Sequence, residues 1–231
     1  MTTKISSITR CIATVAAILI AFGFTSNAQK MAKLSVPVDT LKARAAADGE
    51  RYNALLARFI AADTTLTVEE AALVYYGYYD APIDRKSSSL TDRVNALDSA
   101  KAGHYEAAYA ILSKLIENNP VGAQNIYEAY SCAKRAGLTE EANNLLNRSL
   151  LLARVIIASG DGKTLETALR VNEISDEYFF LYDIVKAPRI KSQRLEIHDG
   201  HKYDILTFEE NGKTIDIYFL TLMSAADILL N

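Results

Sequence analysis

At Gly160 the hydrophobic pattern of this chain changes period, and the change restricts it to two kinds of structure laid end to end. From Thr91 to about Ser159 apolar residues return, with breaks, at helical spacing. Beyond Gly160 they alternate over short runs: Arg189 to Ile197, Lys202 to Glu209 and Lys213 to Leu222. Side chains repeat every 3.6 residues on a helix and every two on a strand, so neither pattern suits the other backbone. Asp199-Gly200 and Asn211-Gly212 join the runs, and such pairs accept the positive φ angles of a tight hairpin turn. A C-terminal antiparallel meander is expected. Leu169 to Ile174 can add a strand, and Asp176 to Lys186 fits either a short helix or another strand.

The helical part repeats itself. Gly103-His104-Tyr105-Glu106-Ala107-Ala108 is followed 34 residues later by Gly137-Leu138-Thr139-Glu140-Glu141-Ala142, and Ala102, Leu112 and Ile116 map onto Ala136, Leu146 and Leu150. That period is the one found in tetratricopeptide repeats. Asn119-Pro120 stands where such a unit turns into the next. In this reading the glycine lets the helices of a hairpin cross closely, the alanine sits at their contact, and the proline ends the second helix. With two copies and no leading aromatic positions, one and a half to two hairpins are expected. A C-terminal sheet would cover the last apolar face at Leu150, Leu151, Val155 and Ile156.

Upstream, Leu41, Ala45, Tyr52, Leu55, Leu56, Phe59 and Ile60 recur at helical spacing with a break at Asp48-Gly49, which predicts two helices. Thr67-Val68-Glu69-Glu70 has the spacing of a capping box and opens another. It carries Ala71 to Tyr76 and stops near Gly77, before a surface loop from Asp80 to Leu90 that contains Pro82 and three serines.

The first residues carry an address. Lys4 and Arg10 precede an apolar run from Cys11 to Phe24, and no acidic residue appears before Asp39. This is the order of a secretory signal, with small residues Ser26 and Ala28 placed for cleavage before Gln29. The run is about fourteen residues, short of the roughly 20 that a spanning helix requires. Residues 1–28 are therefore expected to be removed on export to the periplasm or the outside, and no membrane span is expected afterwards. The remaining chain has 23 basic against 28 acidic residues, which argues against nucleic acid as a partner, because duplex binding needs clustered cations. Cys132 is its lone cysteine, so no internal disulfide can form. Its neighbours Tyr130, Ala133 and Ala136 place it on an inward helix face.

Few residue groups suggest chemistry. His198-Asp199-Gly200-His201 straddles a hairpin turn and lacks the third ligand that zinc usually requires. Gly160-Asp161-Gly162-Lys163-Thr164 has Ile157 where a phosphate loop needs its first glycine, so it is expected to be a solvated turn with Thr164 capping a following helix. No cofactor, metal site or catalytic residue is assigned. Val74-Tyr75-Tyr76-Gly77-Tyr78-Tyr79 is the most unusual local composition in a chain with 13 tyrosines and no tryptophan. Phenol rings can stack on sugars or anchor a partner protein, and they can equally line a core. Asp176-Glu177-Tyr178 and Tyr203-Asp204 set acids beside aromatics, as glycosidases do. The candidate binding residues are Tyr75, Tyr76, Tyr78, Tyr79, Asp176 and Glu177.

Taken in order, Tyr52-x3-Leu56-x2-Phe59, Asp63-Thr64-Thr65-Leu66-Thr67-x-Glu69-Glu70, Tyr75-Tyr76-Gly77-Tyr78, Asp161-Gly162-Lys163-Thr164, Asp176-Glu177-Tyr178, Tyr203-Asp204-Ile205-Leu206 and Ile217-Tyr218-Phe219 resemble the motifs of an uncharacterised family. It is the domain of unknown function numbered 4919, common in exported proteins of Bacteroidetes. The resemblance covers nearly all of the chain after the signal and implies no activity, substrate or catalytic residue. Members carry more aromatic and proline residues around Ala81-Pro82, where this chain has serine-rich Lys86 to Leu90.

The expectation is thus an α+β protein: a helical, tetratricopeptide-like region over 29–159, then 160–231 with an antiparallel sheet. The function that fits best is a non-catalytic cell-envelope protein that binds a protein or peptide on its helical repeat surface. The alternative is an envelope hydrolase or carbohydrate-binding protein that uses the tyrosine-rich segment and nearby acids.

Overall fold

The computed structural model describes residues 33–86 and 90–223. The expected signal peptide and the three serines at 87–89 lie outside these residues. The helices are α1 (Val38–Ala47), α2 (Gly49–Ile60), α3 (Val68–Tyr76), α4 (Leu90–Lys101), α5 (Tyr105–Asn118), α6 (Ala123–Ala136) and α7 (Thr139–Ser159). Strand β1 (Leu169–Val171) follows, then α8 (Ile174–Tyr178), which continues into a π-helical turn at Phe179–Ile184. Strands β2 (Ser192–His198), β3 (His201–Glu210) and β4 (Lys213–Thr221) complete the order. The protein is α+β.

Local chemistry accounts for most boundaries. Asp48 separates α1 from α2 and accepts a bond from the Arg51 amide at 3.0 Å. Thr67 and Glu70 form the capping box of α3 in both directions. The turn after α4 ends with His104 N donating to Ser99 O at 3.0 Å, and the turn after α6 with Leu138 N donating to Ala133 O at 2.9 Å. These are the wide bonds that close a helix through a left-handed residue. Gly103 and Gly137 supply that residue, with φ of 85° and 80°.

These two glycines serve the backbone conformation of the turns and not the close helix crossing expected from the repeat. A side-chain carbon built on either would meet nothing within 4 Å, so close helix crossing does not require them. Positive φ does. The repeat unit therefore consists of a helix, a left-handed turn and a helix, with buried Ala108 and Ala142 at the contacts. Helices α4 to α7 pack in sequence order, and α3 lies against α1, α2 and α7.

The sheet has the order β1-β4-β3-β2. The meander β2-β3-β4 is antiparallel, with Leu195 opposite Asp204 and Ile205 opposite Tyr218. Both hairpin turns have positive φ at each central residue: Asp199 and Gly200, and Asn211 and Gly212. The sheet is mixed rather than purely antiparallel, because β1 runs parallel to β4, with Leu169 beside Phe219. A parallel pair needs a long crossover, supplied by α8, the π turn and the two hairpin strands between them. Strand β2 forms an edge, and each of its residues is exposed.

One core joins the two regions. Leu206, Phe208, Ile215 and Phe219 on one face of the sheet belong to the same cluster as the interior of the helices. The other face gathers Ala168, Tyr203 and Leu220. The apolar side of α7 is covered by α3 as well as by β1, so the sheet shares that role with a helix from early in the chain. Cys132 is buried and free, and burial raises its thiol pKa. The loop at 160–164 also departs from expectation. Asp161 and Gly162 amides both donate to Thr167 O, at 3.0 and 2.8 Å, and Thr164 Oγ1 accepts from Thr167 N at 3.3 Å. Thr164 caps a turn that leads into β1 and not a helix, because its partner amide belongs to that turn.

Candidate functional site

The tyrosine-rich segment lies at the seam between helices and sheet, where its phenols act as struts. Tyr75 and Tyr76 occupy the last turn of α3, and Tyr78 and Tyr79 follow its end at Gly77. From there the four hydroxyls reach α5, β1, α8 and the link between β1 and α8. Tyr75 Oη donates to Asp176 Oδ2 at 2.6 Å and accepts from the Asn172 amide at 2.9 Å. Tyr76 Oη donates to the carbonyl of Arg170 in β1 at 3.0 Å. Tyr78 Oη donates to the carbonyl of Asn118 at the end of α5 at 2.9 Å. Tyr79 Oη donates to Glu173 Oε1. A helix end leaves carbonyls without partners, and Tyr78 meets the one at Asn118.

Asp176 has the matching role from the other side. Its Oδ1 accepts from the Ala123 amide at 3.1 Å, at the first residue of α6, so a carboxyl from α8 caps α6 while Tyr75 holds its second oxygen. Burial raises the pKa of Asp176, and neighbouring Glu173 adds to the rise. Glu173 also accepts from Asn119 Nδ2 at 2.8 Å, and Asn172 Nδ2 donates to the Tyr75 carbonyl at 2.6 Å. Burial likewise pushes the Tyr75 hydroxyl pKa well up. The phenol stays protonated and donates.

Glu177 faces the sheet instead. Its Oε1 accepts from Thr221 Oγ1 at 2.5 Å, while Oε2 is buried with no bonding partner that a carboxylate could use. Burial pushes its pKa up to about 8, with nearby Asp204 contributing. The carboxyl therefore retains its proton at neutral pH, and the proton gives Oε2 something to donate. Asp204 in turn accepts from Gln193 Nε2 at 3.0 Å, and Gln193 Oε1 accepts from Tyr178 Oη at 3.1 Å.

The six candidate residues thus meet at one seam without facing one opening. Tyr75, Tyr76, Tyr78, Asp176 and Glu177 are buried, and Tyr79 is half-buried. Tyr78 also borders an open groove of about 450 Å³ between α2, the loop after α3 and the end of α5. Leu56, Ile60 and Ile83 give that groove apolar surface, with Asp84, Lys86 and Glu117 as charged groups beside it. His198 and His201 face each other across the exposed hairpin. Among the described residues no group of three or more His, Cys, Asp or Glu is placed to hold a metal ion, and no helix is long and apolar enough to cross a membrane.

Several seam residues escaped the sequence reading. Asn172 lies between Arg170 and Glu173 in a segment where polar and apolar residues mix, so nothing local marks its buried bonds. Asn119 precedes Pro120 in a turn signal, which gives no hint of its bond to Glu173. Nothing local marks Glu173 or Arg170, which contribute through contacts distant in sequence.

The fold and the seam define an α+β protein in which a helical array and a mixed sheet share one core, tied by tyrosine and carboxyl groups. More narrowly, the chain belongs to DUF4919, a domain of unknown function, whose family model matches residues 42–227. No curated protein and no solved structure matches it.

Proposed function

We propose that this chain is an exported, non-catalytic binding protein that takes an extended peptide segment of another envelope protein in the groove between α2 and the end of α5. The groove is the observation that carries the reading. It is about 450 Å³, and Ile60 on its wall is 48 % exposed, as a surface that buries apolar side chains on binding requires. Lys86 stands with Asp84 and Glu117 beside the groove, so a segment of mixed charge finds both signs. The repeat Gly103/Gly137 supports a binding scaffold of the tetratricopeptide kind, and Lys4, Arg10 and the run after them support export.

The alternative, a hydrolase or carbohydrate-binding protein, would use Tyr75, Asp176 and Glu177. Their burial and their bonds to Asn172, Ala123 and Thr221 favour the groove. Selection of a displayed peptide library on the purified protein tests the reading. Selected peptides should lose about tenfold or more in affinity to Ile60→Asp, the loss of roughly one buried side chain, and none to Leu195→Ser on the distant sheet edge. Equal binding to Ile60→Asp and wild type would refute the groove. N-terminal sequencing of the exported protein should begin at Gln29.

A further inference from the structure

Among the described residues, Arg148 is a buried cation without an anion. It lies within α7 at 6 % exposure. Its Nη2 donates to the Pro120 carbonyl at 2.8 Å, and its guanidinium lies 5.2 Å from the centre of the Phe59 ring. No acidic group pairs with it among the described residues, and its buried Nε has no bonding partner. Burial lowers its pKa to about 10, so it remains charged at neutral pH. A guanidinium has five N–H donors and no way to shed its charge at that pH, and burying such a charge without a partner is unfavourable.

The surroundings offer a place for the missing charge. Arg148 lines a narrow cleft of about 30 Å³ between the turn after α2 and the outer side of α7. Phe59, Ala62, Leu66 and Leu151 supply apolar walls, and Asn147 and Arg154 add polar groups. Asp63 borders the same cleft, but its carboxylate is held by Thr65 and by Arg58 at 2.7 Å. Its charge is therefore matched outside the cleft. A water could fill this volume and accept one N–H, yet it would leave the charge unbalanced.

We propose that this cleft binds a carboxylate, with Arg148 as its charged anchor. A carboxylate is planar, carries one charge and accepts two parallel N–H bonds from a guanidinium, and apolar walls suit a short hydrocarbon stem behind it. The small volume admits the head group and not a ring. The carboxylate can come from a free short-chain acid or from a peptide C-terminus. This site does not depend on the peptide groove and stands if that groove binds nothing.

The test follows the Arg148 Nε–H resonance of the purified protein at constant ionic strength during titration with sodium butyrate, with a tripeptide bearing a free or an amidated C-terminus, and with sodium phosphate. A saturable shift with butyrate or with the free-acid peptide, at a Kd in the millimolar range, supports the proposal and identifies the source. Arg148→Lys, followed by thermal shift, should weaken the response at least tenfold. Thr64→Trp blocks the cleft from an exposed position while leaving Arg148 in place, and should abolish the resonance shift even if Arg148 variants fail to fold. No shift with either carboxylate up to about 100 mM, an equal shift with phosphate, or an undiminished shift in Thr64→Trp would overturn it.

Discussion

Replacing Glu177 with glutamine should make the protein less sensitive to pH. The native carboxyl titrates at about 8 against an ordinary value of 4.5, chiefly because it is buried. Between those values the folded state keeps a proton that the unfolded chain has released. Stability from this group is therefore fully present below pH 4.5 and is lost as pH rises to about 8. The slope is about 1.4 kcal/mol per pH unit for one proton. From pH 5 to pH 7 the loss from Glu177 is about 3 kcal/mol, and over the whole window about 5 kcal/mol. Glutamine is close in shape, can still accept from Thr221 Oγ1, and offers an N–H where the protonated acid offered its O–H. Urea unfolding at pH 5, 7 and 9 measures the effect. The variant should match wild type within about 1 kcal/mol at pH 5 and exceed it by about 2 kcal/mol or more at pH 7. Parallel loss of stability in both proteins would refute the claim that Glu177 holds a proton in the native state.

Two other substitutions probe the seam. Tyr75→Phe removes the hydroxyl shared by Asp176 and the Asn172 amide, leaving two buried groups unpaired, and should lower unfolding free energy by about 2–3 kcal/mol in urea. Tyr79→Phe should cost about 1 kcal/mol, because Glu173 keeps Asn119 as a donor; equal losses would contradict the different bonding of the two phenols. Gly77→Ala would place its new carbon 2.3 Å from the Ala45 side chain and 2.6 Å from the Leu73 carbonyl oxygen and should destabilise by about 1–3 kcal/mol, with only part of that loss recovered in an Ala45→Gly background. An unchanged loss there would mean that the Leu73 carbonyl alone excludes the side chain.

Much of the local structure was legible in the residues. The break at Asp48-Gly49, the capping box at Thr67, the end of α3 at Gly77 and both hairpin turns depend on groups a few residues apart, which a linear reading can compare. The 34-residue repeat located two equivalent turns, though their glycines serve backbone conformation and not helix approach. Where local signals balanced, the reading stayed open: Asp176 to Lys186 became a helix with a π turn because Phe179, Phe180, Leu181 and Ile184 are buried together against the core. The candidate residues were found, but their relations were not. Tyr75 and Asp176 are 101 positions apart, and their bond exists only because α3 and α8 meet.

By itself, then, the sequence determined which segments coil and which extend outside Asp176 to Lys186, and that residues 29–231 carry more acidic than basic groups and a single cysteine. Those properties follow from backbone sterics, side-chain period and composition, which act over a few residues or over the whole chain at once. Tertiary structure alone decided that β1 joins β4 in parallel, that the tyrosines tie α3 to α5, β1 and α8, that Glu177 keeps its proton and that Arg148 has no anion among the described residues. Each of these depends on the desolvation and hydrogen bonding of groups brought together from distant positions, and charge and bonding inside a protein are set by neighbours in space.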